Sequence, residues 1–205
     1  MTKHIDLPKK SQMPQLSNSE IILIRHAPSA AQGRLCGRSD VAANLPPETA
    51  LRPLRATLGA VAQVVSSPAL RCRQTARALW PRRTPRLDDR LWEQDFGAHD
   101  GLAYADLPDL GELSRADLAA HTPPGGESFA AMVARVTPAL RALAAEAETA
   151  GPVAVVAHAG TARAALALAL DNTPDALAFE IAPLSLTRLR CLGGAFSVVQ
   201  VNASV

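Results

Sequence analysis

Aromatic residues are scarce in this 205-residue chain, 3% in all, with four Phe, two Trp and one Tyr. A core so poor in rings must be built from Ala, Leu and Val. Lysine is absent after residue 10, since Lys3, Lys9 and Lys10 are the only ones. The remaining basic charge is arginine, scattered through the sequence rather than gathered into a tract with interleaved aromatics. With a net charge of +2, that pattern excludes nucleic acid as an expected partner. The three cysteines, Cys36, Cys72 and Cys191, are odd in number and far apart, with no C-x-x-C spacing. Neither a disulfide framework nor a zinc site is indicated, and a reducing cytoplasm is the expected home. No apolar run is long enough to span a membrane: the stretch Ala162–Leu170 carries Arg163 and reads as a buried helix. Nor does a Gly-x-Gly-x-x-Gly follow the first apolar run, which removes a dinucleotide-binding oxidoreductase.

The length and the 48% hydrophobic content suit one domain. Residues 1–20 hold the lysines among Pro, Ser, Asn and Gln, lack an apolar segment of signal-peptide length, and read as a disordered tail. Residues 21–205 read as the single domain. Short β-branched runs at 21–24, 61–65 and 153–157 look like strands covered on both faces. Ser66-Ser67-Pro68 offers hydroxyl caps for a helix at 69–80, and Pro47 opens another that runs to about Leu58. A short strand is expected within 86–92, a long helix at 129–147, a helix at 161–170, and two late strands near 181–190 and 196–201. Between them, 100–124 reads as a polar, proline-bearing insertion above the sheet. The alternation predicts an α/β fold of three layers, α/β/α, with a mostly parallel sheet flanked by helices.

Arg25-His26 ends the first run and His158 follows the run 153–157. Ligands of open α/β sheets bind just past the carboxyl ends of such strands, so two imidazoles are expected at one crevice. Arg71, in the first turn of the helix after the second strand, is expected at the same edge. Guanidinium groups grip phosphate oxygens and a neutral imidazole can attack phosphorus, so the pattern suits a phosphate ester.

Four segments in order, Leu23–His26, Ser67–Ala76, Leu91–Gly97 and Val155–Gly160, resemble the histidine phosphatase superfamily, the phosphoglycerate-mutase-like fold. The resemblance implies that His26 is the nucleophile. It implies that Arg25, Arg71 and His158 form the phosphate pocket and that Glu93 donates the proton to the leaving group. Arg73 and Arg77 compete with Arg71, and Asp95 with Glu93; position within the matching segments selects between them. Arg34 and Arg38 lie in Gly33–Asp40, which resembles the family's Arg-x-x-Gly-x-x-Asp segment, and are candidate additions to the pocket. Ala27-Pro28-Ser29 and Gln32 depart from the family's Gly-x-Thr or Gly-x-Ser and following Asn, so a phosphate donor there is in question. His99 stands where the family often has an aromatic residue. Gly125-Gly126-Glu127-Ser128 reads as a turn and helix start and resembles a segment of the phosphatase branch.

Length and the Leu91–Gly97, Cys36–Asp40 and Pro124–Ser128 segments look most like the α-ribazole phosphatase branch, whose members hydrolyse α-ribazole 5′-phosphate in cobalamin biosynthesis. The alternatives are a broad-specificity or phosphohistidine protein phosphatase and, from another class, an inactive regulatory domain that binds phosphorylated ligands. A mutase is disfavoured because it must exclude water and its relatives carry longer insertions. The resemblance implies no cofactor and no metal. The expected partner is a small phosphorylated substrate, with no membrane, and a homodimer stays open.

Overall fold

The computed structural model describes residues 19–204. Most of the expected tail, 1–18, therefore lies outside the described residues, but Glu20 belongs to the fold. Strand β1 is Glu20–Arg25, followed by helix α1, Glu48–Leu58, strand β2, Gln63–Ser66, and helix α2, Leu70–Leu79. Then come β3, Arg86–Leu87, the short helix α3, Arg115–Ala120, the long helix α4, Phe129–Ala150, and β4, Val153–Ala157. Helix α5, Ala159–Leu170, and the hairpin β5, Leu186–Leu192, with β6, Ala195–Ala203, complete the chain.

The sheet order is β3-β2-β4-β1-β5-β6. Pairs β3/β2, β2/β4 and β4/β1 are parallel, whereas β5 runs antiparallel to both β1 and β6. Five strands thus share one direction and β5 alone opposes them. Alternate residues of a strand face opposite sides, and here both sides are apolar. Ile21, Leu23, Val153 and Val155 pack beneath α4 and α5, while Ile22, Ile24, Ala154 and Val156 pack against α1 and α2. This is the expected α/β/α sandwich. Its alanines matter on the α5 side, where Ala164, Ala165 and Ala167 are all buried.

Local differences from the sequence expectation have simple causes. The amide that opens α2, that of Leu70, donates to Asp40 Oδ1 (2.5 Å), while Ser67 Oγ accepts from Ala69 at 3.3 Å. A carboxylate from a distant loop therefore takes the capping role expected of the local hydroxyls. Strand β3 stops after two residues because Asp88 accepts the Arg90 amide (3.0 Å) and starts a 3₁₀ turn, Asp89–Leu91, that buries Leu91. Ser128 caps α4 as expected, accepting from Ala131 at 3.1 Å.

Glu20 is fully buried between strands, and Oε2 receives both Nε (3.0 Å) and Nη2 (2.7 Å) of Arg188, itself 1% exposed. This bidentate pair rivets the reversed strand β5 to β1. Removing one partner of such a pair leaves the other charge buried, at a cost of roughly 3–5 kcal/mol. Glu20→Ala should lower the unfolding free energy by about that much, measured by urea denaturation; a loss under about 1 kcal/mol would show that solvent reaches Arg188.

Candidate active site

Arg25 pairs with Ala157 in the β1/β4 register, so the next residue on each strand, His26 and His158, emerges side by side. Their rings lie 5.3 Å apart at 71°. The His26 amide still donates to the Ala157 carbonyl (2.9 Å), after which the Ala27 amide donates to Thr75 Oγ1 (3.0 Å) on α2. That hydroxyl directs its own proton to the Arg71 carbonyl at 2.7 Å. A buried threonine thus fixes the chain at the point where it leaves the sheet.

The tautomers follow from the partners. His26 Nδ1 contacts the Ala27 carbonyl at 2.6 Å, and a carbonyl only accepts, so Nδ1 carries the proton and Nε2 the lone pair. Nε2 in turn accepts from Arg71 Nε at 3.2 Å. For His158 the assignment is reversed: Nδ1 faces Arg71 Nη2 (3.3 Å), a donor only, and Nε2 donates to Ser67 Oγ (2.8 Å). Burial, reinforced by the Arg71 and Arg25 charges, pushes His26 down to about 3. Burial and then Arg71 push His158 well below the ordinary histidine value as well. Both imidazoles are neutral at any physiological pH.

Arg71 is fully buried, and its guanidinium also donates to three loop carbonyls, Ser39 (2.9 Å), Gly37 (2.8 Å) and Cys36 (3.2 Å). Those carbonyls turn inward because the amides of Gly37, Arg38 and Ser39 point the other way, onto the Asp100 carboxylate at 3.1, 2.7 and 2.9 Å. Three successive amides around one anion form a nest. Arg25 donates from Nη1 to the Ile181 carbonyl (2.6 Å), and its buried Nε has no hydrogen-bond partner among the described residues. Burial lowers its pKa, yet an arginine so placed remains cationic.

These groups line a cavity of about 390 Å³ that includes Arg25, His26, Arg71, Glu93, Arg34 and Arg163. Glu93 is 9% exposed. Its carboxylate accepts from the Gln94 amide (3.0 Å) and, at the start of α5, from the Gly160 amide at 3.3 Å. A side-chain carbon on Gly160 would collide with that carboxylate and with Met132, so glycine is required for the carboxylate to sit there. The backbone around Glu93 is clamped by Arg135 of α4, which donates to the carbonyls of Arg90 (2.8 Å), Trp92 (3.2 Å) and Glu93 (3.3 Å). Glu127 pairs with Arg135 and accepts the Asp95 amide at 3.1 Å, so it organises the loop that carries Glu93 rather than capping α4.

The profile described as "Histidine phosphatase superfamily (branch 1)" matches residues 21–204. The chain belongs to this family. Among solved structures, the mycobacterial glucosyl-3-phosphoglycerate phosphatase Rv2419c, in complex with VO3, is 28% identical with a TM-score of 0.79, over 91% of this chain and 100% of that one. The Thermus thermophilus protein TTHB049 is 29% identical with a TM-score of 0.67, over 87% of this chain and 97% of the other. Two curated relatives, the bifunctional protein Rv2228c of Mycobacterium tuberculosis and the uncharacterized protein Mb2253c of Mycobacterium bovis, are 35% identical over 202 residues. That match takes in 90% of this chain but 54% of each relative, so the chain spans about half their length.

Against the sequence expectations for a histidine phosphatase site, the structure brings His26, Arg25, Arg71 and Glu93 to one cavity and adds Arg34 at its wall. Arg34 Nη1 donates to the Gly101 carbonyl at 2.8 Å, which fixes it beside the insertion. His158, 1% exposed, stands behind Arg71 and His26 rather than on the cavity wall. Arg38 is not among the residues of the cavity wall: its amide is committed to Asp100, and its guanidinium lies over the Trp92 ring (5.6 Å) and 3.9 Å from Glu127. Arg163 of α5 lines the cavity and was missed, because the sequence reading placed it only within a buried helix; its Nε donates to the Phe179 carbonyl at 2.9 Å. Asp95 accepts the Gly97 amide (2.9 Å) and shapes the loop, leaving Glu93 as the cavity carboxylate. Ser29 and Gln32 also line the cavity, so the departures after His26 keep polar side chains there. Among the described residues no helix is long and apolar enough to cross a membrane.

The fit of Gly160 against the Glu93 carboxylate is open to direct test. Gly160→Ala displaces the Glu93 carboxylate and should cut turnover of alkyl phosphate esters by roughly 10- to 100-fold, read as inorganic phosphate release, since a positioned acid contributes about that much or more. The depressed histidines have a signed effect on stability. Above the unfolded value of 6.5 both states are neutral; as pH falls from there toward about 3, the unfolded chain takes a proton that folded His26 refuses, and stability is lost. His26→Asn should make the protein less acid-sensitive, by on the order of 2 kcal/mol between about pH 7 and about pH 4.5 in urea titrations, whereas an identical pH profile would show that His26 protonates freely in the folded state.

Proposed function

We propose that the protein is a phosphomonoesterase that works through a phosphohistidine on His26, with α-ribazole 5′-phosphate as substrate. The observation that carries the mechanism is the state of His26. Its Nδ1–H is locked on a carbonyl, its Nε2 lone pair accepts from Arg71 Nε on the cationic side of the cavity, and its low proton affinity keeps that nitrogen unprotonated. Arg25 and Arg71 supply fixed donors for the phosphoryl oxygens and stabilise the charge that develops on them. Nε2 attacks phosphorus, the P–O bond to the alcohol breaks, and the leaving alkoxide takes the proton of Glu93. Water then attacks the phosphohistidine, the Glu93 carboxylate removes the water proton, and inorganic phosphate departs with His26 restored. His158 holds Arg71 Nη2 from behind. The chemistry as drawn needs no metal and no cofactor.

The choice of α-ribazole 5′-phosphate rests on the resemblance of the Leu91–Gly97, Cys36–Asp40 and Pro124–Ser128 segments to that branch of the family. The glucosyl-3-phosphoglycerate phosphatase shares the fold at 28% identity, which supports phosphate-ester hydrolysis more than any one alcohol. A cytoplasmic location accords with the three free cysteines.

His26→Ala should abolish phosphate release from α-ribazole 5′-phosphate and remove an acid-labile, alkali-stable phosphoprotein trapped by rapid quench. Glu93→Gln should slow esters of poor leaving groups by about 10²–10⁴-fold while sparing activated aryl phosphates. Turnover that survives in His26→Ala would overturn the covalent route, and equal losses on both ester types would remove Glu93 from the acid role.

A further inference from the structure

Three neighbouring parallel strands, β2, β4 and β1, are each followed at once by a polar side chain: Ser67, His158 and His26. The chemistry drawn above uses the two histidines and leaves Ser67, which is fully buried, without a task. The sequence suggests it as a cap for α2, yet Asp40 holds the Leu70 amide there. The hydroxyl is nonetheless fully committed. Its Oγ receives His158 Nε2 at 2.8 Å and the Ala69 amide at 3.3 Å, and its own proton goes to the buried Cys72 sulfur. That sulfur is free to accept because the thiol proton is spent on the Ala157 carbonyl at 3.6 Å. With both lone pairs and the proton of Ser67 in use, Nε2 is the end of His158 that carries hydrogen. The same tautomer followed independently from the donors of Arg71 at Nδ1.

Resting on the phosphatase reading above, we propose that Ser67 is a positioning residue for the phosphate grip: by accepting the Nε2–H of His158 it keeps the Nδ1 lone pair on Arg71, and so keeps Arg71 at the phosphoryl oxygens. The relay runs from Ser67 Oγ through the His158 ring to Arg71 Nη2 at 3.3 Å, and Arg71 Nε then meets His26 Nε2 at 3.2 Å. A neutral imidazole transmits the signal because hydrogen on one nitrogen leaves the other as the acceptor. Burial and the Arg71 charge keep His158 neutral, so its two tautomers are the states at issue. With hydrogen on Nδ1 the ring would turn a donor toward a guanidinium that has only donors, and Arg71 would lose one of its five acceptors. The Cys72 sulfur also lies 3.5 Å from Nε2, but sulfur is too weak an acceptor to replace the hydroxyl.

Tautomer and grip can be read separately. Long-range proton–nitrogen NMR correlations of the wild-type imidazoles should show His158 as Nε2–H, its signal assigned by its absence from His158→Asn. Ser67→Ala should lose that pattern and weaken the binding of inorganic phosphate, measured by calorimetry, by about tenfold or more, the scale of a lost hydrogen bond to a charged group. Its kcat/KM should fall in step and equally on alkyl and activated aryl esters, because Arg71 acts on the phosphoryl oxygens and not on the leaving group. A loss confined to alkyl esters would assign the effect to Glu93 and overturn the proposal. Ser67→Thr and Ser67→Val share one shape and differ in the hydroxyl, so Thr should bind phosphate about tenfold more tightly than Val. Equal affinities in that pair overturn the relay, as does a Ser67→Ala protein that keeps the Nε2–H pattern or binds phosphate as wild type does. If wild type releases no phosphate from any ester while the tautomer and the phosphate affinities behave as expected, the phosphatase reading fails and the relay stands.

Discussion

Arg71 is a fully buried cation with no carboxylate within ion-pair distance among the described residues. Its charge is met only by neutral acceptors: three loop carbonyls and the lone pairs of two imidazoles. Hydrogen bonds satisfy the donors but do not cancel the charge, so the field of the guanidinium reaches the cavity undiminished by a counter-ion. The rest of the site is arranged around that condition. The two histidines must stay neutral to serve as acceptors, and burial, reinforced by the same positive field, holds them so. A dianionic phosphoryl group would supply the missing counter-charge.

What holds the guanidinium in place is a chain of backbone contacts anchored by carboxylates set away from the cavity wall. Asp100 gathers the three amides of 37–39 and thereby presents the carbonyls that Arg71 needs. Asp40 caps the helix that carries Arg71, and Thr75 ties that helix to the exit of β1. On the other side of the cavity, Glu127 and Arg135 clamp the loop that carries Glu93. Negative charge is thus committed to backbone amides and to Arg135, which leaves Glu93 as the one carboxylate on the wall of a cavity with four arginines. Such a distribution favours binding of an anion and a single, well-placed proton donor.

Much of this was legible in the sequence because it depends on local pattern. Apolar runs located β1, β2 and β4, and the residue after each run marks the carboxyl edge of the sheet, so His26 and His158 could be placed from the pattern alone. The segment resemblance then separated Arg71 from Arg73 and Glu93 from Asp95. What the sequence did not reveal depends on pairs distant along the chain. The reversed direction of β5 is set partly by a buried Glu20–Arg188 pair spanning the length of the domain, and a glutamate at a strand start reads locally as tail. Arg38 and Arg34 are equivalent in a local reading, and only the Asp100 nest decides which of them faces the cavity. Arg163 sits in an alanine-rich helix whose periodicity says buried without saying next to what.

The Asp100 nest has a consequence for how such a chain diversifies. One carboxylate at the first residue of the insertion grips the phosphate-side loop, and the Gly126 amide with Pro123, together with Glu127 on Asp95, closes the far end. Residues 101–104 are tied further to 33–35 by backbone bonds and Tyr104 lines the cavity, so it is the stretch beyond Tyr104 that can change in length and composition without pulling on His26, Arg71 or Glu93. Reaction and recognition are therefore mechanically separable in this fold: a new alcohol can be accommodated by rewriting that stretch while the machinery beneath it is inherited unaltered.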